Sequence, residues 1–145
     1  LQHHAAAYSL KVSAYEKVPI WSLCQFRRKL SGSTGRRSDR VELCAGIPEG
    51  GTTPSYGEIS TARDMLTTTR LHVIIRPRGG DFLYSPIEVR TMLKDIEMAR
   101  QLGADGVVFG CLTAEGEVDL PVMQKLMEAA QGLSVDFSPG IWCMP

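Results

Sequence analysis

The chain has 145 residues, of which 43% are hydrophobic and 22% charged, a composition typical of one ordinary globular domain with a sizeable core. No apolar run approaches the roughly 18 residues of a membrane-spanning helix, so we expect no membrane partner. Residues 1–7 lack a charged stretch followed by an apolar one, and without such a secretory signal we expect a cytoplasmic protein. The four cysteines are widely spaced, which excludes a zinc ribbon or a dense disulfide framework.

The formal net charge is zero, but the charges are unevenly distributed. Residues 1–40 contain eight Lys and Arg against two acids, whereas residues 41–145 contain eight against fourteen. A basic arm is one signature of nucleic-acid binding. Here the basic residues lie among Ser and Gly without a helical stripe or aromatic interleaving, so we expect no nucleic-acid partner.

The first part of the chain carries no periodic pattern. Residues 1–39, with their Gly/Ser run, predict a tail without regular elements. An alternating strand follows at 41–46 and a loop at 47–54. Ser55 and Glu58 then form a capping box, which predicts a helix start.

The strand at 71–76 is β-branched and changes within a few residues into a polar loop. A period of two places His72 and Arg76 on the same side of this strand. Pro77 ends the strand pairing, and a glycine pair lets the backbone turn tightly and expose its N–H groups. The loop contains Arg78, Gly79, Gly80 and Asp81.

The remaining elements alternate regularly. A second capping box, Ser85 with Glu88, predicts a helix that ends before Gly103. A buried strand at 105–112, a helix capped by Asp119 and a strand at 133–137 follow. Strand and helix thus alternate at intervals of roughly thirty residues, which indicates α/β architecture with a parallel sheet. The pattern leaves open whether the fold is a barrel or a doubly wound sheet.

Four ordered blocks carry a family resemblance: VELC at 41–44, EGGTTPS at 49–55, IRPRGGDFLYS at 75–85 and GADGVVFG at 103–110. Together, over residues 39–135, they resemble the CutC copper homeostasis family. The resemblance implies a cytoplasmic (β/α)₈ TIM barrel that binds monovalent copper. The chain would then hold an incomplete barrel, with strands two to four at 41–44, 71–76 and 107–111 and the start of strand five at 133–137.

Two segments depart from the family pattern. The family's first strand and helix should precede Val41, and a T-F-H-R-A-F-D block should follow strand five. We interpret residues 1–38 and 138–145 as atypical tails that flank a partial barrel domain at 39–137. For both tails, codons can be chosen that encode family sequence when they are read in another frame. We therefore attribute the tails to frameshifted translation. Sequencing the gene tests this hypothesis. A partial barrel leaves two unpaired sheet edges, which favours homo-oligomers.

Two cysteines are candidate copper ligands. Cys44 ends a strand, and its thiolate is the soft ligand that Cu(I) prefers. Cys111 would supply a second thiolate, although strand alternation favours placing it toward the helices. A buried cysteine can instead act as a small hydrophobe, and both interpretations stay open.

A second hypothesis is a barrel enzyme that acts on a small phosphate or carboxylate. Two arginines beside exposed glycine amides would clamp the anion. Glu42, on the Cys44 side of its strand, would serve as acid or base. The alternative is structural, with the arginines paired to Glu42, Glu49 or Asp81. The candidate residues are Glu42, Arg76, Arg78 and Asp81 for catalysis and Gly79 and Gly80 for anion binding.

The other residues with possible metal chemistry favour a packing role. His72 points inward from the middle of its strand and is interpreted as a core histidine with its hydrogen bonds satisfied. The methionines at helical spacing, Met92, Met98, Met123 and Met127, are interpreted as core filler.

Overall fold

The computed structural model describes residues 25–28 and 40–137. In these residues a five-stranded sheet runs in the order β1-β2-β3-β4-β5, and none of the helices is long and apolar enough to cross a membrane. The strands are β1 (Gln25–Arg28), β2 (Arg40–Cys44), β3 (Arg70–Ile74), β4 (Gly106–Phe109) and β5 (Ser134–Phe137). The helices are α1 (Tyr56–Met65), α2 (Pro86–Gln101) and α3 (Leu120–Ala129), with a short 3₁₀ helix at Ile47–Glu49.

Strands β2 to β5 are parallel and pair in chain order, with one helix between each pair. Right-handed crossovers that advance in one direction place all their helices on one face of the sheet. A doubly wound sheet instead reverses its strand order at some point. The described strands show no reversal, so this part of the chain is a singly wound parallel sheet, and the predicted alternation of strand and helix is confirmed.

The sheet has two chemically different faces because successive side chains of a strand alternate. One face, here called the helix face, packs against the three helices and forms the main core. The other, here called the opposite face, carries polar groups and the thiol of Cys44. The helix face and its helices contribute Leu43, Leu71, Val73, Val107, Phe109, Ile59, Met92, Ile96 and Leu126 to the core, each at most 2% exposed. The opposite face carries Glu42, Cys44, His72, Ile74, Gly106, Val108 and Asp136.

Both predicted capping boxes are present. At α2, Ser85 Oγ accepts from the N–H of Glu88 and the Glu88 carboxylate accepts from the N–H of Ser85. At α1, Ser55 and Glu58 make the same reciprocal pair. These bonds satisfy N–H groups that have no partner within the helix, so each helix starts where the sequence predicts.

Replacing Ser85 by alanine should destabilise the protein by about 1 kcal/mol, because the first turn of α2 loses its side-chain acceptor. Urea unfolding of the wild type and of Ser85→Ala measures the difference. The matched control is Ser60→Ala inside α1, where alanine is the better helix former and a small stabilisation is expected. Equal effects of the two substitutions would contradict the capping role.

Strand β1 corrects the expectation that residues 1–39 contain no element. Gln25–Arg28 runs antiparallel to β2, with Gln25 opposite Cys44 and Arg28 opposite Val41. An edge strand offers unpaired backbone N–H and C=O groups, and pairing to them requires no side-chain pattern. The expectation of two unpaired sheet edges is therefore wrong at β2. The rest of the two predicted tails lies outside the described residues.

Candidate functional site

Cys44 lies at the carboxyl end of β2 on the opposite face and is 2% exposed. Gly51 approaches it so closely that an added Cβ would lie 3.4 Å from Cys44 Cβ and 3.5 Å from its Sγ. The same Cβ would lie 3.7 Å from Ile74 Cδ1. Gly51 also has φ of 93°, a conformation that glycine adopts without strain. The thiol of Cys44 is thus enclosed by the β2–α1 loop and by β3.

Cys111 lies on the other side of the sheet. It is 1% exposed, belongs to the core between sheet and helices, and its Sγ is 3.7 Å from the carbonyl oxygen of Asp119. Burial, and then the charge of Asp119, raises the pKa of the Cys111 thiol to about 11. Cys44 and Cys111 therefore face opposite sides of the sheet, and Cys111 is protonated at neutral pH. Among the described residues no group of three or more His, Cys, Asp or Glu is placed to hold a metal ion.

Arg76 follows β3 and is 5% exposed. Its Nη1 donates to the carbonyl oxygens of Glu49 at 2.8 Å and Gly51 at 3.1 Å, and its Nη2 donates to that of Gly80 at 2.7 Å. The guanidinium carbon lies 4.7 Å from the centroid of the Phe82 ring. Arg76 therefore ties the β2–α1 loop to the β3–α2 loop through three uncharged acceptors.

Arg78 is held by carboxylates. Its Nε donates to Glu88 Oε1 at 2.5 Å and its Nη2 donates to Asp81 Oδ1 at 2.9 Å. The N–H of Ser85, and then Arg78, hold the pKa of Glu88 below its usual range. Of the two arginines predicted to bind an anion, Arg78 thus has its charge balanced by Asp81 of its own loop and by Glu88 of α2, and the predicted pairing with Asp81 is found.

The glycine pair presents carbonyls rather than free amides to the arginines. Gly80 O accepts from Arg76 and Gly79 O accepts from Arg78. A Cβ on Gly79 would lie 2.9 Å from the Cβ of Glu49, so glycine lets the two loops touch. The tight turn that the sequence predicts is present. It directs carbonyl oxygens, which accept hydrogen bonds, at the arginines, and not the N–H groups that were expected.

Glu42 lies beside His72 in the register of β2 and β3. The predicted pairing of Glu42 with Arg76 or Arg78 is wrong, because Arg76 bonds to loop carbonyls and Arg78 to Glu88 and Asp81. Both guanidiniums lie beyond the end of β3, whereas Glu42 is near the middle of β2. The ion pairs among the described residues do not include Glu42.

A polar network that the sequence did not predict crosses the opposite face. Asp136 on β5 accepts from Arg40 Nη1 at 2.8 Å and lies 2.9 Å from His72 Nδ1. His72 is 1% exposed and its Nδ1 bonds to Asp136, which agrees with its interpretation as a core histidine. A Cβ on Gly106 would lie only 2.6 to 2.8 Å from three atoms of the His72 ring. Gly106 therefore lets the imidazole reach over β4 to β5.

Two features of the sequence are consistent with this network but do not predict it. Asp136 occupies an alternate position of the β5 strand, and Gly106 is a glycine inside a buried strand, which marks a close approach. Neither feature identifies His72 as the side chain that bonds to Asp136 and packs over Gly106, because this contact depends on the register of four strands. The sequence pattern likewise does not indicate a role for Arg40.

The singly wound parallel sheet defines the protein as an α/β protein. The thiol of Cys44 and the buried guanidinium of Arg76 lie at the carboxyl ends of neighbouring strands, which is where such sheets bind ligands. The chain belongs to the CutC family, whose sequence profile matches residues 24–140. This match extends beyond residues 39–135 at both ends.

Individual relatives cover the same central part of the chain. The CutC family protein of Bacteroides thetaiotaomicron is 93% identical over 100 residues, and that of Bacteroides fragilis is 82% identical over 100 residues. In both cases the match covers 69% of this chain and 40% of the relative, so the chain spans well under half the length of these curated relatives.

A solved structure has a similar fold over part of the chain. It is that of a CutC protein from Streptococcus agalactiae, named for a proposed role in copper homeostasis. The two share 44% sequence identity with a TM-score of 0.66, over 68% of this chain and 48% of that one.

Proposed function

We propose that this protein belongs to the cytoplasmic copper homeostasis machinery and binds Cu(I) through the thiolate of Cys44. The observation that carries the proposal is the position of Cys44 on the opposite face, at the carboxyl end of a parallel strand. A thiolate is the soft ligand that Cu(I) selects. The copper homeostasis role for which the Streptococcus agalactiae protein is named supports the same function.

The singly wound sheet supports assignment to part of a (β/α)₈ barrel, with the opposite face as the barrel interior. Strand β5 pairs with β4 on one side, and no described strand pairs with its other edge, where a further strand or a second copy of the chain could pair. We propose that residues 39–137 are this partial barrel, that homo-oligomers form through the β5 edge, and that residues 1–38 and 138–145 are out-of-frame tails.

The donor set fits Cu(I) only in part. Among the described residues Cys44 supplies one thiol on the opposite face, and Cys111 faces the helices. We therefore expect weak copper binding if Cys44 acts alone, without a second thiolate from Cys111.

Anaerobic Cu(I) titration against a colorimetric chelator tests the copper proposal. Removing the groups that orient a metal ligand typically lowers metal affinity about 10- to 100-fold. Cys44→Ser removes the ligand itself, so it should lower the Cu(I) affinity by at least about 100-fold. Cys111→Ser is the matched control and should leave the affinity unchanged, since Cys111 is equally buried but faces the helices. Unchanged binding in Cys44→Ser would refute the thiolate site.

The second candidate function is a barrel enzyme that acts on a small anionic molecule. The observation that favours it is the buried guanidinium of Arg76, which bonds to three uncharged carbonyls and forms no ion pair with the described carboxylates. A buried charge without a counter-charge is costly, so an anionic ligand is the natural partner. In this proposal Arg76 binds the anion, Glu42 is the acid or base, and Arg78 with Asp81 supports the loop.

A further inference from the structure

Exposed apolar side chains gather at the carboxyl end of the sheet. This surface, here called the carboxyl rim, consists of the three strand-to-helix loops and the first three residues of each helix, at 45–58, 75–88 and 110–122. Among the described residues nine large apolar side chains are exposed, and six of them lie on the carboxyl rim: Ile47, Tyr56, Leu83, Ile87, Val118 and Leu120. Single apolar residues scattered over a surface are ordinary, whereas their concentration at one end of a protein marks an interaction site.

The three loops of the carboxyl rim adjoin one another. The β2–α1 and β3–α2 loops meet where a Cβ on Gly79 would lie 2.9 Å from the Cβ of Glu49. The β3–α2 and β4–α3 loops are joined by the N–H of Leu112, which donates to the carbonyl oxygen of Phe82 at 2.9 Å. The apolar side chains therefore lie on adjoining segments of one surface.

Three of these side chains occupy nearly the same place in their helices. Tyr56 and Leu120 are the first residues of α1 and α3, and Ile87 is the second residue of α2. They are 62%, 71% and 73% exposed, and other side chains cap the helices. The first turn of a helix favours acidic residues. The fold thus gives no reason for a bulky apolar residue at each of these positions, whereas a partner that covers them does.

The carboxyl rim is negatively charged. Its three segments contain seven acidic residues and two arginines. Arg76 is buried, and Arg78 is paired with two carboxylates of the rim itself. Glu49, Glu115 and Glu117 are exposed and form no ion pair with the described residues. The exposed apolar side chains are therefore interspersed with uncompensated negative charge.

This charge separates the possible partners of the surface. Nucleic acids and membranes of acidic lipids are themselves negative and would be repelled. A second copy of the chain, docked rim to rim, would bring like charges together, which costs binding energy. A protein surface with Lys and Arg around an apolar centre complements both the charge and the apolar side chains.

We propose that the carboxyl rim is the docking surface for a protein partner that presents basic residues around an apolar centre. Ile87 and Leu120 are its apolar anchors, and Glu115 and Glu117 pair with the basic residues of the partner. The surface lies at the strand ends that carry the candidate site, so a docked partner covers that site. The inference goes beyond copper binding and does not depend on it.

The probe is a fluorescein-labelled helical peptide of leucine and lysine, whose binding to the 145-residue protein is followed by fluorescence anisotropy. Ile87→Ser combined with Leu120→Ser should raise its Kd at least about tenfold, the effect of removing interface anchors. The matched control, Met98→Ser with Met127→Ser, replaces one exposed apolar residue on each of the same two helices outside the rim. It should leave the Kd unchanged, and equal Kd values for the two double variants would overturn the proposal.

A second pair of substitutions tests the charge. Glu115→Gln with Glu117→Gln should raise the Kd of the peptide several-fold at low ionic strength, and by less at about 0.5 M salt, where exposed charges are screened. A peptide with serine in place of leucine keeps the charge and should bind more weakly. An unchanged Kd in the glutamine variant at low ionic strength would overturn the assignment of a basic partner.

Sedimentation velocity of the protein alone tests a second copy as the occupant. Wild type and both double serine variants should show the same association state. If Ile87→Ser with Leu120→Ser abolished a self-association that the methionine variant retained, a second copy would cover the carboxyl rim, and the proposal of a basic partner would be wrong.

Discussion

Gly106→Ala should destabilise the protein by about 3 kcal/mol, because the new methyl group would overlap the imidazole of His72. Its Cβ would lie 2.6 Å from Cε1 and 2.8 Å from both ring nitrogens. The ring cannot turn aside without losing its bond to Asp136, and the strand backbone of β4 is paired on both sides. The substitution therefore either shifts β4 or breaks the network across the opposite face.

Urea unfolding measures this loss. The matched control is Gly57→Ala in α1, where the added Cβ would meet only Ser55 Oγ, at 3.9 Å. Alanine is favoured over glycine in a helix, so Gly57→Ala should stabilise the protein by up to about 1 kcal/mol. A loss below about 0.5 kcal/mol for Gly106→Ala would show that His72 does not lie over this glycine.

Arg76→Ala should also destabilise the protein by about 3 kcal/mol, roughly 1 kcal/mol for each carbonyl that loses its donor. The three carbonyls belong to Glu49, Gly51 and Gly80, so the loops after β2 and β3 would both lose their anchor. Amide hydrogen exchange should accelerate in both loops. Cys44 should become more reactive to thiol reagents, because Gly51 is part of its enclosure.

Arg78→Ala is the control for Arg76→Ala. Arg78 forms two ion pairs, but its side chain is 37% exposed, and exposed pairs contribute at most about 1 kcal/mol. Its removal should leave hydrogen exchange in the β2–α1 loop and the reactivity of Cys44 unchanged. If Arg78→Ala matched or exceeded the loss for Arg76→Ala, the assignment of the loop anchor to Arg76 would be wrong.

Much of the fold follows from short-range signals. The boxes at Ser55 and Ser85 and the cap at Asp119 each depend on residues three positions apart, so the sequence alone locates the three helix starts. Strand β1 escaped prediction because its pairing with β2 uses backbone groups, which carry no side-chain pattern.

The candidate site is less predictable because its partners come from different loops and strands. The sequence indicated that Arg76 and Arg78 leave the same strand end, but not that one binds carbonyls and the other carboxylates. That difference depends on the folding of the β2–α1 loop, which brings Glu49 O and Gly51 O to Arg76.

The bond between Arg40 and Asp136 has a consequence for synthesis on the ribosome. The two residues are 96 positions apart in the chain. At translation rates of about 5 to 20 residues per second, Asp136 emerges roughly 5 to 20 seconds after Arg40. During that interval the nascent β2, β3 and β4 have no carboxylate from β5, and the imidazole of His72 has no acceptor there. The network across the opposite face therefore forms only after the last described strand has been synthesised.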